Sequence, residues 1–170
     1  KLNLSFRSKT IKPISNLFKT IYKSEGNILR SHLLKSKDAY LVSLDASYPK
    51  KKKLPFDVYE EPKYIYFTYK NLLETLEDYK ISDDVYPISL SLNLTDSPGI
   101  VHKTLNILNE VEGEIYNFKS TANMAPICST RIFECYLHGA LPRKIAVNDF
   151  KQKLNNLEDD IGCNILFEKL

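Results

Sequence analysis

The sequence predicts an α+β fold made of two similar modules, each with an antiparallel sheet that helices cover on one face. Three observations support this prediction. The 170 residues suffice for two small domains. The second half alternates strand and helix patterns in the order β-α-β-β-α-β, which is the ferredoxin-like arrangement. The first half repeats the beginning of that order. We therefore expect one module at residues 1–82 and another at residues 83–170.

The first strand and helix of the second module carry the clearest signals. After Pro87, leucines alternate with polar residues, which is typical of a half-buried strand. A turn with the sequence Asp-Ser-Pro-Gly follows at residues 96–99, where Ser97 is expected to cap a helix that begins at Pro98. Gly113 is expected to end this helix in the left-handed conformation.

The remaining elements of the second module follow the same logic. Residues 114–119 and 130–138 are predicted strands, and a break is expected at residues 139–142. A helical stripe comes next, and Gly162 is expected to start the last strand. The stripe consists of Val147, Phe150, Leu154 and Leu157.

The first module begins in the same way and then departs from the pattern. Residues 2–6 alternate as a strand, a helical stripe ends at Gly26, and a hairpin is predicted at residues 27–46. An insertion at about residues 48–70 follows, and little chain is left for a fourth strand. We expect this module to be degenerate, its sheet completed by a strand at residues 64–69 or by something else.

Tandem βαββαβ units with Asp-x-Pro-Gly after the first strand resemble ACT domains. The residues that carry the resemblance are 93–101 and 113–115. The chain resembles in particular the double-ACT glycine-cleavage repressor family, whose two modules would account for nearly its whole length. In the first module the turn, at residues 8–13, has neither Asp nor Gly. The resemblance implies that such a turn binds an amino acid or a nucleotide between paired modules. It also implies action through protein contacts on a transcription activator, without a DNA-binding domain.

The turn of the second module has chemistry that suits an amino acid. A helix N-terminus offers free N–H groups and partial positive charge to a carboxylate. Asp96 could accept an ammonium group, and Gly99 lets a ligand approach the backbone closely. The alternative is an ordinary strand-to-helix turn that binds nothing. The candidate ligand-binding residues are Asn93, Thr95, Asp96, Ser97, Gly99 and Ile100.

Two features of the inserted segment suggest contact with a partner or with RNA. A run of four lysines between two prolines reads as a solvated loop or as a docking site for phosphate or acidic protein. An aromatic run with neighbouring lysines could stack on bases. The candidate contact residues are Lys50, Lys51, Lys52, Lys53, Tyr64, Tyr66 and Tyr69.

Composition and spacing argue against an enzyme, a metal centre or a bound cofactor. The net charge of +3 does not by itself imply a nucleic-acid surface. On a strand, Cys135 and His138 would lie on opposite faces, which disfavours a catalytic pair, and with Cys128 they are too few and too spread for zinc. Three cysteines indicate a reducing compartment, and no apolar run is long enough for a membrane span.

Three functional hypotheses remain open. The first is a non-catalytic tandem ACT-like protein that acts through protein contacts and responds to an amino acid. The second is a structural accessory subunit of an organellar assembly, such as a ribosome, a respiratory complex or an ATP synthase, in which ligand binding has been lost. The third is an RNA-binding module. The expected location is intracellular, in the mitochondrial matrix or the cytoplasm, because the chain begins without Met and its cysteines are few.

Overall fold

The computed structural model describes residues 2–37, 39–47, 83–127 and 129–170. The insertion, with its lysine run and its aromatic run, lies outside the described residues, as does Cys128. Seven strands and three helices form in the described part of the chain. In order they are β1 (Leu2–Ser8), α1 (Ile11–Lys23), β2 (Asn27–Lys35), β3 (Tyr40–Ser47), β4 (Val85–Thr95), α2 (Ile100–Glu110), β5 (Glu114–Met124), β6 (Arg131–Pro142), α3 (Val147–Ile161) and β7 (Ile165–Lys169).

The strands form one antiparallel sheet in the order β1-β3-β2-β5-β6-β4-β7. The second module contributes β5-β6-β4-β7, which is the complete strand order of a ferredoxin-like βαββαβ unit. The first module contributes β1-β3-β2, the same order without a fourth strand among the described residues. The predicted α+β class with two ferredoxin-like modules is confirmed, and the modules lie side by side in a single sheet.

The two modules are joined by pairing of β2 with β5. Gly26 and Gly113 occupy equivalent positions, between helix and strand, in the two modules. In these segments, a residue of the first module is equivalent to the residue of the second module that lies at the same distance along the chain from the glycine. His32 and Lys119 are such a pair, and they face each other directly across the junction. A pseudo-twofold axis therefore passes between them, as in an isologous dimer fused into one chain. Both strands also have a register shift at the equivalent point, at Leu29 and Tyr116.

The C-terminal ends of α1 and α2 also have equivalent conformations. In both, the residue in the left-handed conformation is not the glycine that the sequence suggested. Glu25 and Glu112 have φ angles of 59° and 54°, so the prediction for Gly113 was wrong. Gly113, which follows Glu112, is required because there is no room for a side chain at this position. A Cβ at Gly113 would lie 2.8 Å from Leu108 Cδ2 and 3.1 Å from the backbone oxygen of Ala140.

Two predicted boundaries in the second module are also wrong. Strand β6 continues to Pro142 because Gly139 and Ala140 pair with β4 on one side and with β5 on the other. Gly139 marks a close backbone approach to Glu114, rather than a break. Gly162 does not start β7. It caps α3 with a φ of 69°, and the strand begins at Ile165.

One apolar core lies between the sheet and the helices. Phe18, Phe118, Phe133 and Phe150 are among its largest fully buried side chains. Cys135 is fully buried, and His138 is exposed on the other face, as the strand spacing predicted. In the described part of the chain, no helix is long and apolar enough to cross a membrane, and no group of His, Cys, Asp and Glu could hold a metal ion.

Candidate functional site

The turn between β4 and α2 is built around a glycine in the left-handed region. Gly99 is the N-cap residue of α2, with a φ of 92°, and no side chain caps this helix end. The predicted cap by Ser97 and the predicted helix start at Pro98 are therefore wrong. The left-handed residue delays the helix until Ile100 and leaves its first N–H groups without a side-chain acceptor.

The first module covers this turn with an aromatic ring. A Cβ at position 99 would lie 2.8 Å from both Cδ2 and Cε2 of Tyr22, near the end of α1. The Tyr22 ring also stacks on the imidazole of His102, with 6.2 Å between ring centroids and 29° between planes. Only glycine at position 99 therefore permits this approach of α1 to the turn.

A hydrogen bond fixes the other side of the turn. The Asn27 side-chain amide donates to Asp96 Oδ2 at 2.8 Å, in a partly buried setting. Asn27 opens β2 of the first module, and Asp96 follows β4 of the second. In this structure the Asn27 amide is thus bound to the carboxylate that the sequence suggested as the acceptor of an ammonium group.

The cleft between the modules is nearly filled by these side chains. Its enclosed volume is about 10 Å³, which is room for about one water molecule. Tyr22 and Asn27 line it from the first module, and Asp96, Gly99 and Phe133 from the second. Tyr22 is 40% exposed, so this residue of the lining is also in contact with solvent.

The predicted ligand residues divide between the two faces of the sheet. Asp96, Ser97, Gly99 and Ile100 all line the cleft. Asn93 and Thr95 are exposed on the opposite face, because the intervening leucines of β4 are buried beneath the helices.

The sequence reasoning missed the contribution of the first module to the cleft, namely Tyr22 and Asn27. Their positions follow only if the two modules pair through β2 and β5. The repeated Glu-Gly pairs at residues 25–26 and 112–113 were the available signal for that symmetry.

The cleft favours a neutral imidazole at His102. Its Nδ1 atom is buried without a hydrogen-bond partner. Burial lowers the pKa of His102, and the nearby Lys19 and Lys23 lower it further. A positive charge is therefore disfavoured beside the Tyr22 ring.

The residues that the pseudo-twofold axis relates to this cleft have diverged. Asn109 and Ser15 occupy the positions equivalent to Tyr22 and His102, and the Asn109 amide donates to Ser15 Oγ at 3.1 Å. Glu114, equivalent to Asn27, instead pairs with Lys35 at 2.6 Å. The glycine turn and the tyrosine against it are therefore present at one of the two equivalent positions.

Comparison with known proteins shows similarity at the level of the fold. No protein-family model matches the chain, and no curated protein is significantly similar to it. An unknown protein from Galdieria sulphuraria has a similar structure, with a TM-score of 0.50, 16% identity and coverage of 99% of this chain and 96% of that one.

Two further solved structures are more distant. A protein described as a glycine cleavage system transcriptional repressor matches over 99% of this chain and 95% of its own, with a TM-score of 0.45 and 7% identity. A formyltetrahydrofolate deformylase from Pseudomonas putida matches over 49% of this chain and 28% of its own, with a TM-score of 0.40 and 13% identity. The likeness concerns the fold alone, which is the arrangement of two ferredoxin-like modules that the sequence predicted.

Proposed function

We propose that the protein is a non-catalytic regulatory protein that binds an amino acid between its modules and acts through contacts with other proteins. The observation that carries this proposal is the position of the Asp96–Gly99 turn. Gly99 lies against the Tyr22 ring and Asp96 accepts a hydrogen bond from Asn27, so two residues of the turn contact the other module. With module boundaries at residues 1–82 and 83–170, a ligand at this turn would touch both modules.

Each part of an α-amino acid has a matching group in the cleft. The Asp96 carboxylate would receive the ammonium group in place of the Asn27 amide. The uncapped N-terminus of α2 offers N–H groups to the carboxylate. A ligand that replaces an intermodule hydrogen bond changes the contact between the modules, which is the physical basis for a regulatory response.

A catalytic role is disfavoured by the best nucleophile candidate that the structure describes. Cys135 is fully buried, and burial raises the pKa of its thiol far above the usual range. His138 lies on the opposite face of the same strand. This pair therefore lacks both the thiolate and the geometry that nucleophilic catalysis requires.

Isothermal titration with the twenty common amino acids tests ligand binding. At least one should bind the wild-type protein, and Asp96→Ala should weaken that binding by about tenfold or more, since a charge-assisted hydrogen bond is lost. Asp149→Ala is the matched control, because Asp149 is an exposed aspartate in the first turn of α3. Absence of heat with every amino acid, or equal affinity in the Asp96 variant, would refute the proposal.

Affinity purification from cells at native expression level, followed by mass spectrometry, tests the protein contacts. Recovery of a transcription regulator would support the regulatory proposal. Recovery of a stable multi-protein assembly whose composition does not respond to the amino acid would instead favour a structural subunit.

A further inference from the structure

The Tyr22 ring occupies a defined seat in the cleft. On one side lies the backbone of Gly99, whose left-handed conformation and missing Cβ leave room for the ring. On another side lies the His102 imidazole, inclined by only 29° to the ring plane. The seat is therefore a slot shaped for a flat group.

The ring can leave this seat without unfolding the helix that carries it. Tyr22 is the second-to-last residue of α1, and it is 40% exposed. Its neighbour Ile21 is 1% exposed and anchors the helix in the core. Rotation of the Tyr22 side chain about its χ1 torsion would empty a ring-sized space beside Asp96.

We propose that the cleft, if it binds an amino acid as proposed above, selects one with an aromatic side chain, whose ring takes the seat of Tyr22. Tyr22 then acts as an intramolecular competitor that holds the cleft closed in the absence of ligand. This inference rests on the proposed function and adds the ligand class and the competing group.

The apolar wall of the cleft supports this choice of ligand. Phe133 is 1% exposed and Ile28 is 6% exposed, and both line the cleft together with the backbone of the turn. A glycine or serine ligand would displace Tyr22 and leave the slot unfilled, so the contacts of the ring would be lost without replacement. An aromatic ligand restores those contacts, including the stacking on His102.

Competition by Tyr22 should lower the measured affinity for the ligand. If the conformation with Tyr22 outside the cleft is a minor one, the apparent affinity is the intrinsic affinity multiplied by the fraction of molecules in that conformation. Tyr22→Ala removes the competitor, so L-phenylalanine and L-tyrosine should bind this variant about tenfold more tightly than they bind the wild type. Asn109→Ala changes the equivalent residue of the second module, outside the cleft, and should leave their affinity unchanged.

Titration of glycine, L-serine, L-leucine, L-phenylalanine and L-tyrosine into the three proteins tests the inference. The expected result is that the two aromatic ligands bind most tightly and gain affinity only in Tyr22→Ala. Should Tyr22→Ala lose its native circular dichroism spectrum, Tyr22→Leu replaces it, because leucine keeps apolar contact and removes the flat ring.

The outcomes separate the ligand class from the proposed function. Tighter binding of glycine, serine or leucine than of the aromatic ligands would overturn the inference and leave amino-acid binding standing. Equal aromatic affinity in the wild type and in Tyr22→Ala would also overturn it, because Tyr22 would then not compete. No binding of any amino acid to any of the proteins would overturn both the inference and the proposed function.

Discussion

The hydroxyl oxygens of Ser31 and Ser120 lie 2.7 Å apart across the junction between the two modules. Both residues are 1% exposed, and they are directly opposite each other on β2 and β5. Each hydroxyl is the other's partner in an otherwise apolar layer. The seam that holds the two modules in one sheet therefore contains a buried polar pair.

The effects of removing the two hydroxyls of this pair should not be additive. Ser31→Ala or Ser120→Ala leaves a buried hydroxyl unpaired and should lower the free energy of unfolding by about 1–2 kcal/mol. The double variant should cost clearly less than the sum of the two. Urea denaturation measures these values. Ser43→Ala, at a half-buried serine in the same sheet, is the control, and additive effects would contradict the prediction.

Gly99→Ala should be costlier than an alanine at the other glycine with positive φ. Gly162 has a φ of 69° and open space around its Cβ position, so Gly162→Ala carries only the left-handed strain, about 1–2 kcal/mol. Gly99→Ala adds a collision with the Tyr22 ring at 2.8 Å.

The double variant with Tyr22→Ala isolates that collision. In the Tyr22→Ala background, the cost of Gly99→Ala should fall to about that of Gly162→Ala, since only the left-handed strain remains. Thermal and urea denaturation provide the comparison. An unchanged cost in that background would show that the ring does not press on the turn in solution.

Asn27→Asp should weaken the contact between the modules in a pH-dependent way. The change places two carboxylates at the position of the 2.8 Å hydrogen bond to Asp96, and like charges at that distance repel unless one is protonated. The loss of stability relative to wild type should exceed about 1 kcal/mol at pH 7 and be smaller at pH 4.

Asn106→Asp is the matched control for this change. The Asn106 amide donates to Glu110 Oε1 at 2.7 Å, but this pair is exposed and lies within one helix. A like-charge pair there should cost only about 0.2–0.5 kcal/mol. Equal losses in the two variants would mean that the Asn27–Asp96 contact is no more buried than a helix surface.

The second module could be predicted from the sequence because its signals are local. Alternation along β4 identified the strand, and the spacing of Phe150 and Leu154 identified the last helix. The cleft could not be predicted because it depends on a long-range event, the pairing of β2 with β5. Asn27 reads as an ordinary strand residue until that pairing places it against Asp96.

The errors at the glycines have a related cause. Gly113 and Gly139 were interpreted through their backbone freedom, which is a local property. In the structure, both are required by the close approach of another strand or helix, as the short distances from their Cβ positions show. A single sequence does not distinguish these two uses of glycine.

Stability should fall as the pH decreases from 7.5 to 5.5, and two histidines should account for part of the fall. Burial lowers the pKa of His32 despite a hydrogen bond with Asn117, and Lys119 lowers it further. Burial, Lys19 and Lys23 lower the pKa of His102. Near and below the ordinary histidine pKa of about 6.5, the unfolded chain therefore binds more protons than the folded chain. The stabilisation is complete above that pH and is lost as the pH falls toward the folded-state values.

Urea denaturation at pH 7.5 and 5.5 measures the effect. His32→Gln and His102→Gln should each reduce the difference in unfolding free energy between the two pH values, because glutamine does not titrate. His138→Gln, at an exposed histidine of β6, controls for loss of the residue type. A pH difference that persists undiminished in the double variant His32→Gln/His102→Gln would assign the effect to other groups. A reduction only in His102→Gln would locate the sensitivity at the cleft, beside Tyr22.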